Sequence, residues 1–307
     1  MRSLYWKKQK MAKGLPKRLI EELITRWKLE QLRQVLLEGD LDHRFLRLIS
    51  RESHCPNSLK ELDHIPIDAV HVSDETLSAF GLTQGNKQRV VAVGRYVQRE
   101  GVSEGFRCIV DADLDRLRGI NLSSESVVYT DYACMESYMW HQTALRQTLH
   151  YFRCEESVKS DADVQSLYDS ISAVCKMLAG IRLIHAENPQ WNLELHRSNA
   201  SLSISQLTVN IDLAAYLTQC KPRKQDRAEI DKKLSDALRM MDAHRAVSVL
   251  NGHDLIWLVA FAIKELTAGP KRVVEEEQVL QSMLVHAVAK PELMHQPLFE
   301  NLVSWAT

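Results

Sequence analysis

The stretch Cys108–Leu117, CIVDADLDRL, constrains this chain more than any other. Ile109 and Val110 are strand formers that run straight into acids at alternate positions, Asp111, Asp113 and Asp115. A short apolar run ahead of carboxylates is the pattern of a buried strand that ends at an active-site edge. In open parallel sheets, that edge is where ligands collect. Aspartates crowded there repel one another, and a hard cation such as Mg²⁺ with oxygen ligands is one way to keep them ionised. An isolated DxD is more often a solvated loop than a metal site.

Two companions change that balance. Upstream, QVLLEGDLDHRF (residues 34–45) carries an apolar run, Val35 to Leu37, that ends in Glu38-Gly39. The glycine permits a tight turn, and Asp40 or Asp42 can cap the helix that follows. Downstream, SVVYTDYACMESYMW (residues 126–140) has a third strand-like run ending at Thr130-Asp131, followed by a helical pattern that carries Glu136. Three strand ends, each delivering a carboxylate, form a constellation.

A strand ending in Glu-Gly and a later strand ending in Asp-x-Asp resemble the Toprim domain of topoisomerases, primases and OLD-type nucleases. The fuller string, LLEGDLDHRF, IVDADLD and VYTDYACMES, is similar to a Toprim-related family that includes the effector nuclease of PARIS-type anti-phage systems. The motifs cover roughly Gln34 to Trp140, with an echo in NGHDLIWLV at Asn251 to Val259. The resemblance implies an α/β fold: a Toprim-like parallel sheet with flanking helices, plus a mainly helical C-terminal region. It also implies a metal-dependent endonuclease, a toxic effector of anti-phage defence (abortive infection) that cleaves tRNA or other nucleic acid with Mg²⁺ or Mn²⁺. Glu38, Asp111 and Asp113 would be the metal ligands. Asp115, Asp131 and Glu136 are candidates for a second metal or for orienting the first ligands. Asp131 read alone is equally a helix cap, and Asp42 is rather a cap or supporting group than a ligand. His253 is either a residue of a helix start or a phosphate contact or proton donor.

Charge layout fits an enzyme of this kind. The formal charge of −1 conceals seven bases and no acid in residues 1–20, against 17 acids and 11 Lys and Arg in residues 34–136. Within the basic arm, Arg2, Tyr5, Trp6, Lys7 and Lys8 could contact nucleic acid or a partner protein. No P-loop or dinucleotide-binding glycine motif is present, so ATP hydrolysis within this chain is not expected. By resemblance, a separate ABC-type ATPase sensor would restrain the effector until infection, and the active form could be a homodimer. The rival readings are a non-catalytic Toprim-shaped interaction module and a DNA-directed OLD-like nuclease. A haloacid-dehalogenase phosphatase fits less well, because its DxD opens the domain and is usually followed by Thr where Asp115 stands here.

The six cysteines show no CxxC pair and no zinc-like spacing, which reads as a reduced, cytoplasmic set of thiols. No apolar stretch reaches membrane-spanning length, and the basic N-terminus lacks a signal-peptide core. Three regions are expected: a basic arm and helix over residues 1–33, a Toprim-like catalytic domain over 34–150, and a mainly helical domain over 151–307. The alternation in residues 68–72 predicts a second strand, with His71 a core or edge residue. Two alternating runs, WNLELH and LTVNI, predict a small hairpin within residues 191–211, and Lys221, Arg223, Lys224 and Arg227 a basic turn.

Overall fold

In the computed structural model, which describes residues 16–191, 193, 199–220, 226–267 and 274–307, the apolar runs become parallel strands. The basic arm, most of WNLELH and the turn residues Lys221, Arg223 and Lys224 lie outside the described residues. The chain forms two compact units. The first takes in the described residues up to Val110, Leu122–Tyr129 and Asn301–Thr307; the second takes in Asp111–Asn121 and Thr130–Glu300.

The first unit opens with β1 (Arg18–Leu19), α1 (Ile20–Glu30), β2 (Gln34–Leu37) and α2 (Asp40–Ile49). It continues through α3 (Asn57–Lys60), β3 (Asp63–Pro66), β4 (Val70–His71), α4 (Asp74–Ala79), α5 (Asn86–Arg99), β5 (Phe106–Val110) and β6 (Val127–Tyr129). Four strands pair in the order β3-β2-β5-β6, all parallel. Val35, Leu36 and Leu37 are 0% exposed, as expected for a strand covered on both faces. Leu36, Ile65, Cys108 and Val127 share one core with Leu23 and Trp27 of α1 and Val90, Val93 and Val97 of α5. Gly94 lets α5 lie close on the sheet, since a Cβ there would stand 2.4 Å from Val127 Cγ2. Helix α2 packs against β3.

One expected strand is displaced. The alternation over residues 68–72 yields only a 3₁₀ turn, Ile67–Ala69, and the two-residue β4, which pairs with β1 outside the main sheet. The sheet's edge is instead Asp63–Pro66, whose sequence carries no strand pattern. The register Gln34↔Asp63 to Leu37↔Pro66 holds it there, and an edge position tolerates the missing N–H of Pro66.

The second unit holds α6 (Gln142–Tyr151), α7 (Asp161–Glu187), the antiparallel pair β7 (Leu202–Ser205) and β8 (Thr208–Ile211), and α8 (Leu213–Gln219). After these come α9 (Arg227–Asp242), α10 (Gly252–Leu266), α11 (Glu276–Val288) and the start of α12 (Pro297–Ala306). The hairpin turn is Gln206-Leu207, both left-handed (φ 48° and 62°), the twist that suits a two-residue connection. Helix α10 is apolar on nearly every side and is buried almost throughout, which is the physical meaning of that composition. The helical pattern carrying Glu136 resolves into a five-residue 3₁₀ turn, Met135–Met139, and α6 starts only after it. The architecture is therefore mixed α/β, with parallel sheets flanked by helices. Among the described residues, no helix is long and apolar enough to cross a membrane.

Candidate active site

Within the first unit, β2 and β5 are hydrogen-bonded neighbours with Leu37 opposite Ile109, so both strands finish at one edge of the sheet. Glu38 is the next residue after β2 and is half-buried; Asp111 is the next residue after β5. Asn86, first residue of α5, donates its Nδ2 to the Glu38 carbonyl at 2.9 Å. Lys87 stands over the ring of Tyr129, the last residue of β6, at 5.5 Å. The start of α5 thus lies at the same edge, and neither Asn86 nor Lys87 was legible as part of a site. The only sequence signal there is the turn at Gly85-Asn86.

Asp42 is a helix-start group. It is 8% exposed, and its Oδ2 accepts the Gly39 N–H at 3.0 Å, satisfying one donor that the helix leaves open.

In the second unit, two turns are laced together. The Asp113 N–H donates to the Ala133 carbonyl at 2.6 Å, and the Ala112 N–H to Thr130 Oγ1 at 3.0 Å. Arg116 reaches from the first turn to the carbonyls of Thr130 and Asp131. Leu114 and Leu117 anchor the first turn on Ala179, Leu183, Met241 and Val249. Asp113 is exposed and takes a left-handed conformation (φ 45°), which Asp tolerates better than most residues. Asp115 is 9% exposed and its own carbonyl accepts the Ile120 N–H at 2.9 Å, so it sits inside the turn.

Asp111 and Glu136 come together around Cys134. Asp111 Oδ1 accepts the Met135 N–H at 3.1 Å. The Cys134 thiol is fully enclosed, and burial, followed by the Glu136 and Asp111 carboxylates, pushes its pKa well up. Glu136 itself is 7% exposed and lies against Gly252, the first residue of α10. The Asn251 side chain caps the same helix through the N–H groups of His253 and Asp254, at 3.2 and 3.4 Å. The NGHD echo is therefore packed on the third acidic motif. His253 is exposed, and only its backbone takes part in the cap.

Asp131 serves another purpose. Its Oδ2 accepts the Tyr138 hydroxyl at 2.8 Å and the Leu298 N–H at 3.0 Å, the latter at the start of α12. Burial, and then the Asp131 charge, raise the Tyr138 hydroxyl pKa. The 3₁₀ turn that follows Asp131 starts at Cys134 instead, and Asp131 accepts from the start of a helix far away in sequence. A further ion pair escaped sequence reasoning: Arg182 grips Asp254 with two nitrogens at 2.7–2.9 Å, and Asp254 is 2% exposed.

Among the described residues, no group of three or more His, Cys, Asp or Glu side chains stands close enough to hold a metal ion. Comparison with protein-family models and with curated proteins gives no match. The chemistry of the site rests on its geometry.

Proposed function

We propose that this protein is a metal-dependent phosphodiesterase of Toprim-like design, with nucleic acid as substrate and tRNA the favoured form. The observation that carries the reading is the strand order. Strands β2 and β5 are adjacent and parallel in the first unit; Glu38 directly follows the one in sequence and Asp111 the other, and Thr130-Asp131 follows β6. Glu38, Asp111 and Asp113 offer hard oxygen donors only, the set that suits Mg²⁺ or Mn²⁺. A divalent cation bound by carboxylates of this kind would supply positive charge opposite the phosphate oxygens and acidity to water.

The chain's own residues do the positioning. The Met135 N–H orients Asp111, the Ala133 carbonyl holds Asp113, and Asn86 holds the Glu38 backbone. Glu136 and Asp131 act behind them, fixing the turn that carries these donors. Asp115, inside its turn, belongs with this supporting set. An unrestrained nuclease would harm its own cell, so the reading includes a separate ABC-type ATPase that holds it inactive, and association of two chains on release.

The deciding experiment incubates purified protein with tRNA and plasmid in Mg²⁺ or Mn²⁺ and follows both on a gel. Cutting by the unaltered chain, lost in Glu38→Gln, supports the reading. Cutting at an equal rate in Glu38→Gln defeats the Toprim assignment. One observation favours a second reading, a non-catalytic module: Asp131 and Glu136 are committed to structural contacts. No cutting of either substrate, together with stable capture of a partner, would establish it.

A further inference from the structure

A cleft of about 510 Å³ runs along α7 and α9 in the second unit and ends at Ala246-Val247. It is separated from the Asp113 turn by one residue: the Ala133 N–H donates to the Val247 carbonyl at 3.0 Å while the Ala133 carbonyl accepts from Asp113. Its lining is chemically mixed. Met177, Met241 and Val247 are apolar, Lys176 and Arg245 are cationic, and Asp169 and Asp242 are anionic.

The aromatic member is Tyr168. Its ring lies flat on Trp140, with centroids 4.6 Å apart and planes at 15°. Trp140 is 3% exposed and is pinned by its Nε1 donating to Ser172 Oγ at 2.8 Å. Tyr168 thus lines the cleft as a backed, rigid aromatic surface. Lys176 is drawn to the cleft by the Asp242 carbonyl at 3.4 Å, and Arg245 lines the same cleft as Tyr168.

We propose that this cleft binds one unpaired nucleotide of an RNA strand and so leads the strand to the Asp113 turn, an inference that rests on the nuclease reading for what then happens to the strand. The volume lies in the usual range for ligand sites and suits a splayed-out nucleotide, not a duplex. An aromatic face takes the base, since stacking needs no sequence. Lys176 and Arg245 take the phosphates on either side. The Asp169 and Asp242 carboxylates would repel a further phosphate but accept a ribose 2′-hydroxyl, which commits the site to RNA over DNA.

The test measures anisotropy of a labelled, unstructured RNA oligonucleotide with the full chain in EDTA, so that binding is read without cutting. Lys176→Glu and Arg245→Glu should each weaken binding at least tenfold. Each should also reduce the slope of log Kd against log salt by about 0.7, the loss of one single-strand phosphate contact. Tyr168→Leu, which keeps an apolar side chain on Trp140, should weaken binding about fivefold or more. Asp242→Asn should narrow the preference for RNA over the same DNA sequence. Circular dichroism checks that each variant is folded. Unchanged binding in folded Lys176, Arg245 and Tyr168 variants overturns the proposal, as does equal affinity for a duplex. Displacement by AMP, with RNA binding no tighter than AMP, would make the cleft a free-nucleotide pocket and also overturn it. The two readings fail separately. Cleft-dependent RNA binding without cutting in Mg²⁺ or Mn²⁺ upholds the cleft and removes the nuclease, whereas cutting unaffected by the cleft variants does the reverse.

Discussion

The Glu136 carboxylate occupies the space where a side chain on Gly252 would begin: a Cβ built on Gly252 would lie 2.1 Å from Glu136 Cδ and 2.3 Å from Oε1. Glycine is required here for space, not for conformation. The contact joins the 3₁₀ turn that orients Asp111 to the start of a 15-residue buried helix. An acid at that place also meets the positive end of the helix.

Gly252→Ala should therefore destabilise the protein by about 1–3 kcal/mol, the usual range for overpacking a filled site. In urea denaturation, the same substitution in a Glu136→Ala background should cost much less. Equal penalties in both backgrounds would show that the two residues do not compete for one space.

Arg182→Ala leaves Asp254 buried without its guanidinium partner. Removing one member of such a pair costs about 3 kcal/mol. Replacing both members with apolar residues should cost less than this single change, because no buried charge is then stranded. The readout is again the denaturation midpoint, with a double-mutant cycle.

His141 predicts a pH dependence. Its Nδ1 accepts the Ala144 N–H at 3.1 Å to start α6, which requires an unprotonated nitrogen. Burial first, and then the nearby Lys290 charge, lower its pKa to about 4, with Glu292 opposing. The unfolded chain therefore binds the proton more readily than the folded one. The stability this group contributes is intact above about pH 6.5, its ordinary value, and is lost as pH falls toward 4. His141→Asn keeps a capping oxygen but cannot titrate, so it should flatten stability against pH across that window. An unchanged slope would assign the pH dependence to other groups.

Asp131 and Asp113 should separate in their effects. Asp131→Ala removes the carboxylate that accepts the Tyr138 O–H and the Leu298 N–H, at a cost of about 1–3 kcal/mol in stability. Asp111→Asn with Asp113→Asn should abolish Mn²⁺ binding in calorimetry while leaving the thermal midpoint unchanged or raised, since like charges are removed. Retained Mn²⁺ affinity in that double variant would place the metal elsewhere.

Much of the sheet could be read from local pattern. The runs at Val35–Leu37, Phe106–Val110 and Val127–Tyr129 are strands because continuous apolar residues are stable only where both faces are covered. Asp63–Pro66 was not legible, because its pairing with β2 supplies what its own composition lacks. The residues expected to be mainly helical do hold the long helices α7, α9 and α10, whereas the helical pattern at Met135–Met139 gives only a 3₁₀ turn. There, the contacts of Asp111, Ser137 and Gly252 outweigh a helical pattern too short to sustain itself.

Which residues end strands and which acids follow them can be read from the order of residues alone, because strand burial and turn chemistry are set by neighbours a few positions apart. By resemblance it set Glu38, Asp111 and Asp113 apart as ligands and left Asp131 and Glu136 between a second metal and a supporting role. The fold narrowed the cap at that helix start, offered by Asp40 or Asp42, to Asp42, and it alone paired Asp131 with Tyr138 and Leu298, and Glu136 with Gly252. Those assignments depend on residues 3, 7, 167 and 116 positions away. A carboxylate's role follows from the donors that fill its lone pairs, and for a buried group most of those donors arrive from elsewhere in the chain.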